Sequence, residues 1–275
     1  KVAEKTANYI LKEMTDVKGG FYSAQDADSE GIEGKYYLFE PRELMEVLGN
    51  VEGQQFNEYY DITSKGNFEG KNIPNLLHHN KTENPFEKCL PSVYAYRKKR
   101  YRLHLDDKIL TAWNGLMIAG MCQLYRVTEN KMYLEAARKA QAFIEAELME
   151  SPFYENYKST MLQAETKLKN SFQTESLNEK EQGITQVETD INSKDNLNRK
   201  KREQIQLYVS YRNGKRGQKA FLDDYANEIF ALLALYEATL EGAYLDRARE
   251  FCDKVIGEFY DEAQGGFFLY GEENE

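Results

Sequence analysis

A shift of 111 residues lays one part of this chain onto another: Ile118 falls on Ile229, Leu124 on Leu235, Tyr125 on Tyr236, Thr128 on Thr239, Tyr133 on Tyr244, Leu134 on Leu245 and Ala137 on Ala248. Each copy reads as an apolar helix, a short turn and a second helix, so the repeating unit is an α-hairpin. Such a hairpin buries its apolar stripe only against neighbouring hairpins, and stacks of them build arrays or closed rings. The opening stretch joins the series, because a shift of 246 places Gly19-Gly20-Phe21 on Gly265-Gly266-Phe267 and Ile10 on Ile256. The chain thus starts in the second helix of one unit and stops just past another, as a piece of a larger ring would.

Between the helical copies the pattern changes twice. Phe21-Tyr22-Ser23 and Lys35-Tyr36-Tyr37-Leu38-Phe39 read as two aromatic strands of a β-hairpin at about 21–39, around the loop 25–34. Pro41 suits the first position of a short helix to Leu48, another helix covers Gln54 to Tyr60, and the Gly- and Asn-rich run 65–73 reads as a structured loop. Residues 158–206 are charged and polar with a single aromatic, Phe172, and bury too little apolar surface to offset chain entropy. The organisation expected is a first helical part over 1–157, a flexible polar insertion over 158–206, and a continuation of the same helical part over 207–275. The alternating run Gln206–Arg212 is expected to be a strand closed by an Asn213-Gly214 turn.

The net charge of −10 disfavours a nucleic-acid or anionic-membrane surface and fits a neutral ligand better. Cys89, Cys122 and Cys252 are far apart with no CxxC pair, so neither a disulfide framework, a metal centre nor a cofactor is called for, and they read as buried thiols. No apolar run reaches membrane-spanning length. A cytoplasmic location is the inference that follows.

The richest stretch is His104-Leu105-Asp106-Asp107-Lys108-Ile109-Leu110-Thr111-Ala112-Trp113-Asn114-Gly115-Leu116, which places a histidine, two adjacent carboxylates and the only tryptophan ahead of an apolar helix. The pair Asp223-Asp224 precedes the second copy. Such aspartates cap helix starts, where the dipole also favours negative charge. Clustered acids beside a histidine also supply a general acid and a general base, since neighbouring carboxylates differ in pKa. Lys108 has the bland reading of neutralising Asp107. Trp113 suits stacking on a sugar face or burial in the core. Asp26-Ala27-Asp28-Ser29-Glu30-Gly31 begins like a calcium loop, but its twelfth position is Tyr37 rather than Glu, so Asp26 and Asp28 read as turn-forming or pocket-lining residues.

The runs GGFYSAQDADSEGIEGKYYLF, YDITSKGNFEGKNI, HLDDKILTAWNGLMIAG, YRNGK and FLDDYANEIFALLALYEAT resemble the C-terminal part of the thioredoxin-domain-containing family that includes spermatogenesis-associated protein 20 and bacterial YyaL. That resemblance implies an all-α fold, part of an (α/α)6 toroid of six-hairpin glycosidase type similar to N-acylglucosamine 2-epimerases, and a thioredoxin-like domain elsewhere in the full-length chain. The expectation is a toroid handling a carbohydrate or polyol by epimerase-like or glycoside-hydrolase-like proton transfer. Asp106, Asp107, His104 and Asp224 are the expected catalytic residues, and Asp26, Asp28, Asn72, Trp113, Asn114, Asp223 and Tyr225 the substrate-binding ones. The alternative is a non-catalytic platform for a glycan or a protein, attached to the thioredoxin-like domain.

Overall fold

The computed structural model describes residues 2–78, 84–151 and 205–271. Its helices are α1 (Val2–Glu13), α2 (Pro41–Leu48), α3 (Asn50–Tyr59), α4 (Leu90–Arg100), α5 (Thr111–Thr128), α6 (Lys131–Phe143), α7 (Leu222–Thr239) and α8 (Gly242–Phe259). The strands are two or three residues long, so the class is all-α, as expected. The chain divides into two compact units, one made of Lys1–Ser23 with Asp107–Glu275, the other of Ala24–Asp106. This division differs from the expected one, since the cuts fall at 23/24 and 106/107. The expected insertion 158–206 lies outside the described residues except for its last two, and those are folded.

In the first unit the repeat is visible bond by bond. Helix α5 begins and ends 111 residues before α7. Each ends on a left-handed residue, Glu129 and Leu240, at φ of 58° and 59°. Thr128 Oγ1 donates to Leu124 O and Thr239 Oγ1 to Leu235 O, at 2.7 and 2.8 Å. The threonine closes the last turn in both copies, and the left-handed residue turns the chain back into the second helix. The apolar stripes follow the 3.6-residue period: Ile118, Met121 and Cys122 on α5, Ala231, Leu232 and Leu235 on α7, all buried in one core with Phe143, Phe251 and Phe259. Full burial of each large side chain contributes about 1.5–3 kcal/mol.

Helices α5 and α7 run side by side in the same direction, because Ala112 meets Asp224, Gly115 meets Asn227 and Arg126 meets Glu237. Their closest approach is at Gly115, where a Cβ would lie 2.5 Å from the carbonyl oxygen of Asn227. Strands β5 (Ile109–Leu110), β8 (Ser210–Arg212) and β9 (Lys215–Arg216) form a small antiparallel sheet, with Asn213-Gly214 at the β8–β9 turn. Strands β6 (Met149–Glu150) and β7 (Gln206–Leu207) pair antiparallel. Cys122 is buried in this unit, whereas Cys252 is half-buried rather than buried as expected.

The second unit has its own core of Phe39, Leu44, Phe56, Tyr59, Tyr60, Ile62, Cys89 and Val93. Pro41 starts α2, as expected, and Glu43 reaches back to accept from Glu40 N–H at 2.7 Å. The expected hairpin at about 21–39 needs correction. Its two aromatic runs do not pair with each other. Phe21 bridges Thr15, Lys35–Tyr37 is a 3-10 turn, and Phe39 bridges Asn72. The hairpin present is tighter, β2 (Asp28–Ser29) against β3 (Ile32–Glu33), turning at Glu30-Gly31 with both residues at positive φ. The aromatic rings Tyr36 and Phe39 are buried by neighbours distant in sequence, and that burial overrides their strand propensity.

Candidate functional site

Within the second unit, residues about 80 positions apart in the sequence meet on a short ribbon. Strand β1 (Ala24–Gln25) pairs antiparallel with β4 (Leu105–Asp106), in the register Ala24 with Asp106 and Gln25 with Leu105. The ladder continues by one rung, because Asp26 N–H donates to His104 O at 2.8 Å. Side chains two apart on a strand share a face, and opposed residues share it too, with Cβ atoms about 4.5–5.5 Å apart. Asp26, His104 and Asp106 therefore belong to one side of the ribbon, with His104 between two carboxylate-bearing positions. Asp26 and His104 are exposed and Asp106 is half-buried. Asp26 Oδ1 also accepts from Asp28 N–H at 3.0 Å, a turn-forming bond of the kind expected of this loop.

Asn72 belongs to the same unit but is committed elsewhere. It is buried, its Oδ1 accepts from Thr63 N–H, and its Nδ2 donates to Phe39 O and Thr63 O. Those bonds use both amide protons to close the loop 63–72 onto Phe39. A ligand would have to displace them.

In the first unit the expected residues separate into exposed and committed groups. Asp107 is half-exposed and accepts from Arg212 Nε at 2.5 Å. Trp113 is 56% exposed in the first turn of α5, so its ring is outside the core. Asp223 is exposed. Asn114, by contrast, is buried; its Oδ1 accepts from Phe21 N–H at 2.7 Å and its Nδ2 donates to Phe21 O and Leu110 O. It straps the 19–21 turn to α5. Tyr225 is wholly buried between Phe251 and Phe259, and its hydroxyl accepts from Leu207 N–H at 3.1 Å.

Asp224 is 3% exposed, and its two oxygens hold two helix starts: Oδ2 accepts from Phe221 N–H ahead of α7 and Oδ1 from Ala112 N–H in α5. Burial pushes its pKa up to about 6, aided by the charge of Asp223, while the two backbone N–H groups pull the other way. The starts of α5 and α7 lie together here, joined by one carboxylate.

One buried acid escaped the sequence reading. Glu228 has no exposed surface; Gln141 Nε2 donates to its Oε1 at 2.6 Å, and its Oε2 has no partner among the described residues. Burial, with a smaller contribution from Glu145, raises its pKa to about 8 against the opposing pull of Gln141 and Arg247. The signal was available, since Glu228 stands three residues after Tyr225 and four before Leu232, on the core stripe of α7. Among the described residues no group of three His, Cys, Asp or Glu side chains is placed to hold a metal ion, and no helix is long and apolar enough to cross a membrane.

No family model matches the chain. It is 26% identical to human spermatogenesis-associated protein 20 over 97% of this chain and 33% of that protein. The mouse protein of the same name is 25% identical with the same coverage. An uncharacterised protein of Caenorhabditis elegans is 25% identical over 88% of this chain and 32% of its own length. Among solved structures the chain is similar to a cellobiose 2-epimerase from Bacillus thermoamylovorans B4167, with a TM-score of 0.37 and 12% identity over 95% of this chain and 55% of that one. The chain spans about a third of the length of the curated relatives it matches. The similarity to the spermatogenesis-associated protein 20 proteins runs over 97% of this chain.

Proposed function

We propose that the ribbon bearing Asp26, His104 and Asp106 is an acid–base centre acting on a neutral carbohydrate or polyol. The observation that carries this reading is the β1–β4 register, which puts a histidine between two carboxylates on one side of a solvent-accessible ribbon. Histidine is the side chain suited to moving a proton near neutral pH, and the two carboxylate-bearing positions share its side of the ribbon. In this role His104 takes or gives the proton at a sugar carbon or glycosidic oxygen, and the two aspartates hold the positive charge that it gains. A substrate without charge suits a chain of net charge −10. In the first unit, Asp107 and Trp113 are accessible side chains of the types that bind a sugar hydroxyl and stack on a sugar ring. A thioredoxin-like domain elsewhere in the full-length chain is the proposed covalent partner.

The second reading, a non-catalytic platform, is favoured by a specific observation: Asn72, Asn114 and Asp224 spend polar atoms on backbone groups of this chain, and the Tyr225 hydroxyl accepts from Leu207 N–H and Gln206 Nε2. The two readings separate in one experiment on the full-length protein. Cellobiose, glucose and mannose are incubated with wild type, His104→Gln and Asp26→Asn, with epimerisation and bond cleavage followed by proton NMR. Turnover that falls by at least ~100-fold in His104→Gln, at an unchanged melting temperature, supports the acid–base reading. Binding without turnover in wild type supports the platform, and neither binding nor turnover of any of the three sugars sinks the carbohydrate assignment.

A further inference from the structure

Arg97 and Arg100 stand one turn apart on α4 and have different surroundings. The Arg100 terminal nitrogens donate to Leu38 O, Tyr36 O and the Glu43 carboxylate, at 2.8, 2.9 and 3.1 Å. Arg97 has no such acceptor among the described residues. Its guanidinium has instead the rings of Tyr36, Tyr37 and Tyr94 around it, with its Cζ 4.9 to 5.3 Å from their centroids, and its Nε is buried without a hydrogen-bond partner. Ring contacts stabilise a cation but satisfy none of its N–H donors, and a buried donor left unmatched is costly.

The same side chain lines a cleft of about 240 Å³ whose other walls include Phe39, Leu44, Phe56, Leu90 and Val93. At ~30 Å³ per water the cleft is about eight waters in size, room for one small organic molecule. Its walls are mostly apolar, with the Tyr94 phenol and one cation, Arg97, among them, an arrangement that fixes an amphiphilic ligand by one polar end. A guanidinium matches a carboxylate with two parallel N–H···O bonds, and one of them can come from the buried Nε that the fold leaves unmatched. The surrounding charge is favourable as well, since Arg97, Lys98, Lys99 and Arg100 make the last turn of α4 basic in an otherwise acidic chain.

We propose that this cleft binds a small organic carboxylate with an apolar body, the carboxylate on Arg97 and the body against Phe39, Phe56 and Val93. This site is separate from the His104 ribbon and does not depend on the acid–base reading. The test is calorimetric titration of the full-length protein with benzoate, benzyl alcohol and acetate. Benzoate should bind saturably, with benzyl alcohol, lacking the charge, and acetate, lacking the body, each at least ~10-fold weaker. Arg97→Met should weaken benzoate by at least ~10-fold, and Arg97→Lys, which keeps the charge but loses the fork, should fall between. Leu90→Trp, which fills the cleft and leaves Arg97 in place, should abolish binding. The proposal is overturned if wild type shows no saturable benzoate binding at ~10 mM. It is equally overturned if a folded Arg97→Met binds benzoate as wild type does, or if Leu90→Trp leaves binding unchanged.

Discussion

Gln141 and Glu228 meet in the helical core with Nε2 2.6 Å from Oε1, and neither Gln141 Oε1 nor Glu228 Oε2 has a partner among the described residues. Two unmatched oxygens facing an apolar core are what a neutral carboxylic acid resolves, because its proton supplies a missing donor. The pKa of about 8 agrees with that state, with burial as the first cause.

The consequence is a pH dependence with a definite sign. A carboxyl whose folded pKa lies above its unfolded value binds its proton more tightly when folded, so its contribution to stability is complete below the unfolded pKa and lost as pH rises through the folded one. For Glu228 that window runs from about 4.5 to about 8. Asp224 acts with the same sign over a lower window, from 3.8 to about 6. Thermal melts from pH 5 to pH 9 should therefore show falling stability, and Glu228→Gln should remove the part of the slope above pH 6. The difference at pH 8 should be on the order of a few kcal/mol, at ~1.4 kcal/mol for each tenfold change in proton affinity between the folded and unfolded chain. Parallel curves for the two proteins would show that Glu228 is ionised in the fold.

Asp224 makes a contrasting demand. Its oxygens accept from two different backbone N–H groups, so an asparagine supplies one acceptor and turns an NH2 group toward the other donor. Asp224→Asn should lower stability by about 1–3 kcal/mol at pH 7, against the usual tolerance of helix caps for Asn. A denaturant midpoint equal to wild type would mean that the Ala112 and Phe221 amides find other partners.

Two glycines of α5 should respond in opposite directions to the same substitution. At Gly115 an added Cβ meets the Asn227 backbone at 2.5 Å, so Gly115→Ala forces α5 and α7 apart and should cost about 1–3 kcal/mol. At Gly120 nothing lies within 4 Å, and Gly120→Ala should stabilise by roughly 0.5–1 kcal/mol through the better helix propensity of alanine. Equal melting temperatures for the two variants would refute the close approach.

The helical repeat was legible because it is written in local periodicity: the 111-residue shift predicted the partner helices, and Thr128 and Thr239 even make the same bond. The β1–β4 ribbon was not legible, since nothing local to Ala24 specifies a partner at Asp106. The aromatic runs at 21–39 misled for a related reason, being shaped by burial against distant neighbours rather than by pairing with each other. Among the expected site residues, side-chain chemistry marked Asp224 as a catalytic candidate and Asn114 and Asn72 as candidates for binding a ligand. It had no means of showing that their polar atoms face backbone groups. Glu228 was passed over because a glutamate in a helix is ordinarily solvated, though its place on the Tyr225–Leu232 stripe marked it as buried.

Three groups of the second unit, on two helices, depend on the Glu43 carboxylate. It accepts from Glu40 N–H at the start of α2, from the Tyr96 hydroxyl at 2.9 Å and from Arg100 Nη1 at 3.1 Å. The Arg100 side chain is only 11% exposed, so removing its counter-charge leaves a mostly buried cation held by two carbonyls. Glu43→Gln keeps an acceptor but loses the charge, and should destabilise by about 1–3 kcal/mol. The same substitution has a spectroscopic signature that general unfolding would not produce. Burial first, and then the bond to Glu43, raise the Tyr96 pKa to about 12, with Arg100 opposing. Without the carboxylate the hydrogen bond and the repulsion of tyrosinate both weaken and Arg100 acts unopposed, while burial remains. The pKa should therefore fall only partway toward 10. Ultraviolet titration of Glu43→Gln, read as the difference from the Glu43→Gln, Tyr96→Phe double variant, measures that one group. A Tyr96 pKa unmoved by the loss of Glu43 would show that burial alone sets it, and would remove Glu43 from the link between α2 and α4.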